Sequence, residues 1–498
     1  MCPLLQEIPT AHTPESLVET LRGEAGVVLL RTGQFDLPSA RYSFVTARPF
    51  LTFRSFGSRC EVTRHAVCPN SQLPTPISYE QFGNPWQLLD ALMARCELLD
   101  EIDSQFPLGG AFGCWGYDLK NFTEPKLPRR AANDLELPDC HVGFYDSVVV
   151  FDHQTCLVTV ISTGLEADGA RNEAHAAEKM KFWREKLEKE LPQWHRDTEK
   201  DDVSLNQNAL CLCASVAEIS SNVQRAEFIA AVEQAQRYIR QGDIYQVNLS
   251  HRLTAPCDSA WQLFQKLAMV SPAPFSAFLD AGDFQLASSS PEQFLRMSGL
   301  HIVTRPIKGT RPRAADSNRD AQLAYELQTS AKELAELVMI TDLLRNDLGR
   351  ICQFGSVAVP ELAKLEKFAQ VQHLVSTVEG RLRNDVTHFA ALAASFPGGS
   401  ITGAPKFRAM EIIDELELIS RGLYCGCIGY LGFNRESQLS IAIRTAVCKN
   451  GRAHFNVGAG IVADSNPAAE YEETLAKARG FLAALELNLP AAKEKLAT

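Results

Sequence analysis

Positive charge is in short supply: 49 lysines and arginines face 60 aspartates and glutamates, for a net charge of -11. Such a surface repels a phosphate backbone, which argues against nucleic-acid binding, and an anionic substrate would need a locally basic pocket or a metal. A membrane address is also missing. Met1 to Thr10 has neither a basic start nor a long apolar core, so no signal peptide, spanning helix or anchor is expected. Cysteine is present, 14 in all, but without a framework: Cys211/Cys213 and Cys425/Cys427 are C-x-C pairs with no matching histidine spacing. They read as buried free thiols of a cytoplasmic protein rather than a zinc or disulfide scaffold. No internal repeat occurs. The glycine-dense run Gly109 to Asp118 lacks G-x-G-x-x-G, and in Pro397 to Lys406 the residues after Gly403 are Ala-Pro-Lys, so neither is a nucleotide loop.

What is there is an ordinary globular mix, 45% hydrophobic and 22% charged over 498 residues, enough for one large or two to three ordinary domains. Residues 17 to 165 read as strand-rich, with runs at Gly26–Leu30, Tyr42–Ala47 and Val142–Phe151 and an amphipathic helix at Pro85–Leu99. Ala167–Leu191 reads as a charged helix and Pro192–Asn208 as a linker, separating an N-terminal region over 1–200 from a second region over 221–487. Ser221-Asn222 predicts the cap of a helix running to Arg240, with Gly242 as its stop and a strand to Ser250 after it. Strands are predicted at Phe275–Leu279 and Phe284–Ala287, turning at Ala281-Gly282. Others are expected at Leu300–Val303, Ser356–Val359, Ala369–Leu382, Gly426–Phe433, Gln438–Val447 and Arg452–Val462. Asn450-Gly451 marks a hairpin between the last strand and the one before it.

Ser317–Leu348 reads as one long helix. Leu323, Leu327, Leu334, Leu337, Val338 and Thr341 form its core face, and its second half is buried nearly all round. Glu333 and Glu336 stand at i, i+3 on that helix. Glu470 and Glu473 repeat the spacing on a second helix, Pro467–Leu485, with Lys477 one turn on. Each pair alone reads as a solvated face. Together they suit a hard, oxygen-liking cation, Mg²⁺ above all.

Lys308 lies in Thr304–Arg313, at what reads as a strand-to-loop exit among Arg305, Arg311 and Arg313. Neighbouring cations disfavour a protonated amine, so Lys308 is a candidate nucleophile as well as a plain basic-loop lysine. Glu292 precedes it on what reads as an adjacent hairpin arm, and the two can face one site. His373 on a strand reads as structural. Pro397–Lys406 opens a helix, an anion cradle in principle. Arg444 interrupts the apolar strand Ile441-Ala442-Ile443 and needs an anionic partner. Gly458-Ala459-Gly460 offers a bare backbone to a ligand.

Taken in order, Gly242–Ser250, Pro306–Thr310, Asp342–Leu348, Phe396–Lys406, Arg444–Ala446 and Gly458–Ile461 resemble the motifs of the chorismate-utilising enzymes. These include anthranilate synthase component I, isochorismate and salicylate synthases, and the aminodeoxychorismate enzymes. Arg41–Phe44 and Gly116–Leu119 look most like the aminodeoxychorismate branch. So does Pro-Ile-Lys308-Gly-Thr, where the anthranilate enzymes carry alanine at the lysine. Gln246 stands where the water-using members place a lysine base, which favours ammonia as nucleophile.

The resemblance implies an α+β fold, two antiparallel sheets packed as a sandwich with helices outside, as one integrated unit. It implies Mg²⁺ at Glu336 and Glu473 with Glu333 and Glu470 beside them. Lys308 becomes the nucleophile, Glu292 the general acid, and His373 a residue near the ring. Arg444, Gly458, Ala459 and Gly460 contact the enolpyruvyl carboxylate, and Gln246, Thr402, Tyr430 and Lys477 line the pocket. Leu337, where many relatives have histidine, is expected to face the core. The expected reaction is chorismate plus ammonia to 4-amino-4-deoxychorismate, on the route to 4-aminobenzoate and folate. No glutaminase motif is visible, so the ammonia is expected from a separate glutamine amidotransferase subunit. Anthranilate synthase component I activity is the first alternative, and a non-catalytic chorismate- or tryptophan-binding regulator the second. Leu29-Leu30-Arg31-Thr32 departs from the L-L-E-S of the feedback-inhibited anthranilate enzymes.

Overall fold

A computed structural model describes residues 2–32, 40–65, 76–99, 102–189, 219–368 and 371–487. The expected linker and Cys211/Cys213 lie outside the described residues. Two antiparallel 12-stranded sheets form the body of the molecule, an α+β sandwich with helices outside it. Each sheet draws strands from both halves of the sequence. In the first, Val28–Arg31 pairs with Phe275–Asp280; in the second, Gly110–Trp115 pairs with Cys427–Gly432.

The continuous apolar runs are explained by burial on both faces. Val28, Phe44, Val148, Val150, Ala277 and Leu279 enter the core between the sheets. Their strand neighbours Leu29, Val45, Val149, Phe151 and Phe278 enter a second core under the helices. That second core takes Leu17 and Val18 from Pro14–Thr20 and Trp183 from Glu173–Glu188. Trp261 and Phe264 come from Ala260–Val270, and Phe481 from Pro467–Ala484. Alternate residues of one strand therefore serve two different layers. The glycines of Gly110–Trp115 serve close packing: a Cβ on Gly113 would fall 2.2 Å from the His141 carbonyl oxygen.

Two expected strands are each two strands. Val142–Phe151 belongs to Cys140–Tyr145 in one sheet and Ser147–Asp152 in the other, the chain crossing at Asp146. Asp146 is buried at the crossing, 3.2 Å from Lys179 and 3.1 Å from His175. Gln438–Val447 likewise divides into Glu436–Ile441 and Thr445–Lys449 in different sheets. Arg444, with φ of 48°, turns the chain between them. An apolar run that crosses between sheets stays buried throughout, so hydrophobicity does not mark the break.

The long helix is also two, Ser317–Thr329 and Ala331–Gly349. Ser330 ends the first and caps the second, its hydroxyl accepting from the Glu333 N–H at 3.4 Å. Val338 is 48% exposed rather than core, and Asp342, Arg345 and Asn346 are exposed as well, so the second helix is not buried all round. Leu337 is fully buried, as expected. The helix before Gly242 spans Arg225–Gln241 and is capped by Gln224 rather than Ser221-Asn222. Gly242 stops it in the left-handed conformation at φ 85°, and Asn450-Gly451 turns the hairpin at φ 53° and 71°. The helices at Pro85–Met93 and Glu173–Glu188 are shorter than expected. Cys2 and Cys156 are exposed; the other described cysteines are buried, and all are free thiols. No described helix is long and apolar enough to cross a membrane.

Candidate active site

Lys308 lies within a strand, Ile307–Pro312, rather than in a loop. That strand pairs with Val371–Arg381, and the register slips by one residue between Lys308 and Thr310. Gly309 is the extra residue, at φ 68°; a Cβ there would fall 2.7 Å from Leu327 Cδ1 and 3.0 Å from Glu333 Oε2. The bulge re-aims Lys308 into the molecule, where its Nζ donates to the Ser400 carbonyl oxygen at 3.3 Å. Burial is the largest cause that lowers the Lys308 pKa below the ordinary lysine value. Glu336, Glu292 and Glu333 oppose the shift, and Lys477 adds to it. The flanking arginines are not the cause. Arg305 pairs with Glu366, Arg311 lies 3.4 Å from Glu333, and Arg313 lies 2.8 Å from Asp320.

Glu292 does face the same site, but not from an adjacent hairpin arm. It sits where the chain passes from Gln285–Ser290 in one sheet to Gln293–Ser298 in the other, and His301–Arg305 intervenes before the lysine strand. Burial raises its pKa, while Ser400, Lys308 and the Ile307 backbone pull it back. Burial thus favours the neutral form of both groups, the forms that a general acid and a nucleophilic amine need.

Arg444 occupies the neighbouring crossing. Its carbonyl oxygen accepts from the Ser289 N–H at 2.9 Å, and the Ile441 N–H donates to the Glu292 carbonyl oxygen at 3.0 Å, so the two crossings are stitched together. No carboxylate among the described residues pairs with the Arg444 guanidinium, and burial lowers its pKa. An uncompensated, desolvated arginine is an anion site. His373 stands close to it: burial and then Arg444 bring its pKa down to about 4, and its Nδ1 is 2.9 Å from Thr310 Oγ1. The ring is neutral at pH 7.

Gly458 and Gly460 lie on one face of the strand Arg452–Ile461, beside Gln246–Pro256. A Cβ on Gly458 would fall 2.8 Å from the Tyr424 hydroxyl, and one on Gly460 would fall 2.6 Å from Gln246 Nε2. Gln246 is buried, and its Oε1 has no partner among the described residues. Ala459 points the other way, into the core between the sheets. Lys477 donates to the Gly458 carbonyl oxygen at 2.8 Å and lies 2.8 Å from Glu473.

The four glutamates come from Ala331–Gly349 and Pro467–Ala484. Glu336 is raised above the ordinary carboxylate range by burial, with Glu333 and Glu470 adding to the shift; Glu470 is raised by burial and by Glu473. Among the described residues no three ligating side chains already converge. Glu470 is buried and Glu473 exposed, and Arg311, Lys332 and Lys477 lie within 4.0 Å of Glu333, Glu336 and Glu473 respectively; as oxygen donors the four suit a hard cation such as Mg²⁺.

Two expected contacts are placed elsewhere. Tyr430 stacks on Phe112 with ring centroids 5.3 Å apart and meets Phe44 edge-on at 5.1 Å. It lines a small separate cavity with Leu30, Thr32, Phe275 and Gln438. Thr402 is fully buried, and its hydroxyl donates to the Gly398 carbonyl oxygen at 3.1 Å, closing its own turn. The residues the sequence reading missed are Ser400, between Lys308 and Glu292, and Tyr424, over the bare glycine strand. Tyr424 and Tyr430 lie six residues apart in one short glycine-containing run, and periodicity does not tell them apart.

Residues 63–483 match the family model described as chorismate binding enzyme. Aminodeoxychorismate synthase component 1 of Escherichia coli (strain K12) is 40% identical over 92% of this chain and 93% of its own. Anthranilate synthase component 1 of Acetivibrio thermocellus is 37% identical over 95% of this chain and 93% of its own. The crystal structure of anthranilate synthase component I from Streptococcus pneumoniae TIGR4 superposes with a TM-score of 0.73 at 30% identity, covering 91% of this chain and 94% of that one. With the matched model spanning both crossings and the glutamate helices, the chain belongs to the chorismate-binding enzyme family.

Proposed function

We propose that the chain converts chorismate and ammonia to 4-amino-4-deoxychorismate. The observation that carries the reading is Lys308: an amine turned into the site by a bulge, its pKa lowered by burial, and set against Glu292, whose pKa burial raises. The neutral Nζ attacks C2 of chorismate as both ring double bonds shift toward C4. The C4–O bond breaks, and the Glu292 proton leaves with the hydroxyl as water. Ammonia then bonds to C4, both double bonds return, and the C2–Nζ bond breaks. Glu292, now a carboxylate, takes the proton that ammonia gives up. Arg444 and the backbone at Gly458–Gly460 hold the side-chain carboxylate, with Tyr424 and Gln246 beside them. Glu336 and Glu473, with Glu333 and Glu470 alongside, would hold Mg²⁺. That ion supplies positive charge for the ring carboxylate.

The name "component 1" carried by both kinds of relative supports a separate partner, here a glutamine amidotransferase subunit that delivers the ammonia in the cytoplasm. Anthranilate formation is the second reading, favoured by relatives that match over as much of the chain. Incubation with chorismate, Mg²⁺ and ammonium salt at raised pH decides between them. The expected product is 4-amino-4-deoxychorismate, and glutamine should not replace ammonium. Anthranilate as the main product would overturn the assignment, and no turnover with intact chorismate binding would favour a regulator.

A further inference from the structure

Cys257 and Cys448 lie with their sulfurs 3.9 Å apart, both only 9% exposed, although 191 positions separate them in sequence. The fold brings them together around one small residue. Cys448 is on Thr445–Lys449, directly opposite Ala453 of Arg452–Ile461. Ala255 of Gln246–Pro256 faces Ala453 from the other side. Past the end of that strand, Cys257 folds over the hairpin, its N–H donating to the Gly451 carbonyl oxygen at 2.9 Å. Ala453 is fully buried and ends at its Cβ, so the sulfurs meet above it.

The two thiols are not equivalent. Cys257 precedes the Ala260–Val270 helix by three residues. The neighbouring Cys448 thiol, 3.9 Å away and able to donate to it, and the Ser259 backbone N–H bring its pKa down to about 7 against burial and Asp258. Cys448 is held well up by the Cys257 sulfur beside it and by burial. The other buried cysteines on which a shift is seen are pushed up by burial, so Cys257 is the thiolate-forming sulfur among them.

The geometry points to a peroxide-reactive dithiol at Cys257 and Cys448 that closes to a disulfide. The Cys257 thiolate attacks a hydroperoxide, its S–O bond forms as the O–O bond breaks, and with one proton taken up the leaving oxygen departs as water (or an alcohol). The Cys448 sulfur then attacks the sulfenic sulfur, forms the S–S bond, and expels the hydroxyl as a second water with its own proton. Two thiols are oxidised and one peroxide is reduced. Closing the bond needs the sulfurs to approach from 3.9 Å to the roughly 2.05 Å of a disulfide, with the segment beyond Pro256 moving toward Cys448. The bond lies on the helix side of the sheet, away from Lys308, and ties two segments distant in sequence. The oxidised chain should therefore resist unfolding better than the reduced one.

The full chain is treated with hydrogen peroxide, alkylated under denaturing conditions and digested without reductant. The expected result is one cross-linked peptide pair joining Cys257 to Cys448, two hydrogens lighter than the free peptides and split by dithiothreitol. Its appearance should accompany a rise in melting temperature that dithiothreitol reverses. In Cys448→Ser, peroxide with dimedone should label Cys257; in Cys257→Ser, Cys448 should stay unlabelled over the same time. Wild-type protein with both cysteines still alkylated after peroxide, or a cross-link that avoids the pair, overturns the proposal. Faster labelling of Cys448 in Cys257→Ser overturns the assignment of the attacking sulfur.

Discussion

Arg421 and Glu417 meet in a two-pronged pair behind the pocket, Nε to Oε2 at 2.8 Å and Nη2 to Oε1 at 2.7 Å, with side chains 1% and 8% exposed. The rest of the guanidinium holds the site's framework: it donates to the carbonyl oxygens of Ile401 at 3.2 Å and Asn248 at 2.6 Å, and lies against the rings of Tyr117 and Tyr424. Arg421→Met leaves Glu417 as a buried, uncompensated charge and should destabilise the chain by about 3–5 kcal/mol in urea unfolding. Arg421→Lys keeps the charge but loses the fork. Folded Arg421→Lys with unchanged kcat and KM would show that the pair does not position Tyr424 or the 397–405 loop.

Lys308→Ala removes the nucleophile and should cut amination at C4 on the order of 10³-fold. Ammonia would then be free to attack C2, and a product with nitrogen at C2 is expected. Wild-type protein with chorismate and Mg²⁺ but no ammonia should carry an adduct on the peptide containing Lys308. No adduct, together with near-normal amination by Lys308→Ala, would leave the lysine an electrostatic contact only.

Glu336→Gln and Glu473→Gln each remove a charged oxygen from the acidic cluster. Activity should fall on the order of 10²-fold or more, and the Mg²⁺ concentration for half-maximal rate should rise. Neither residue is in a hydrophobic core, so far-ultraviolet circular dichroism should be unchanged. Wild-type magnesium dependence in both variants would refute the assignment of these residues.

Acid should unfold the chain through its histidines. Burial lowers His141, His251, His373, His388 and His454 to about 4 from the ordinary 6.5. Between those values the unfolded state binds protons that the folded state refuses. Their stabilising contribution is therefore full above pH 6.5 and is lost progressively as pH falls toward 4. The urea midpoint should drop steeply across that window. A midpoint constant from pH 7 to pH 5 would contradict it.

Most of the elements were legible because period and punctuation agree: Gly242 stopping its helix, Asn450-Gly451 turning its hairpin, Asn466-Pro467 opening the last helix. What misled were places where burial is continuous but the backbone changes course. Asp146 and Arg444 sit inside apolar runs and mark passages between sheets, and Ser330 breaks a helix without breaking its amphipathic stripe. For Lys308 the reason for the lowered pKa was misread. Neighbours in sequence were arginines, while neighbours in space are carboxylates and buried walls. Tyr430 was named and Tyr424 passed over in silence, because which side of a sheet a strand end reaches depends on partners far along the chain.

Glu292 and Arg444 hang from two adjacent passages between the sheets, joined by backbone hydrogen bonds, whereas Glu336 and Glu473 project from separate helices. The site thus has a stiff side and a compliant side. The spacing of Glu292 and Arg444 is set by main-chain geometry, through the hydrogen bonds that join the two passages. The spacing of the metal-side carboxylates can change by a small slide of either helix. Substitutions in the helical layer should therefore retune affinity for a cation while leaving the alignment of the bond-breaking groups intact, a division of labour between frame and adjustable jaw.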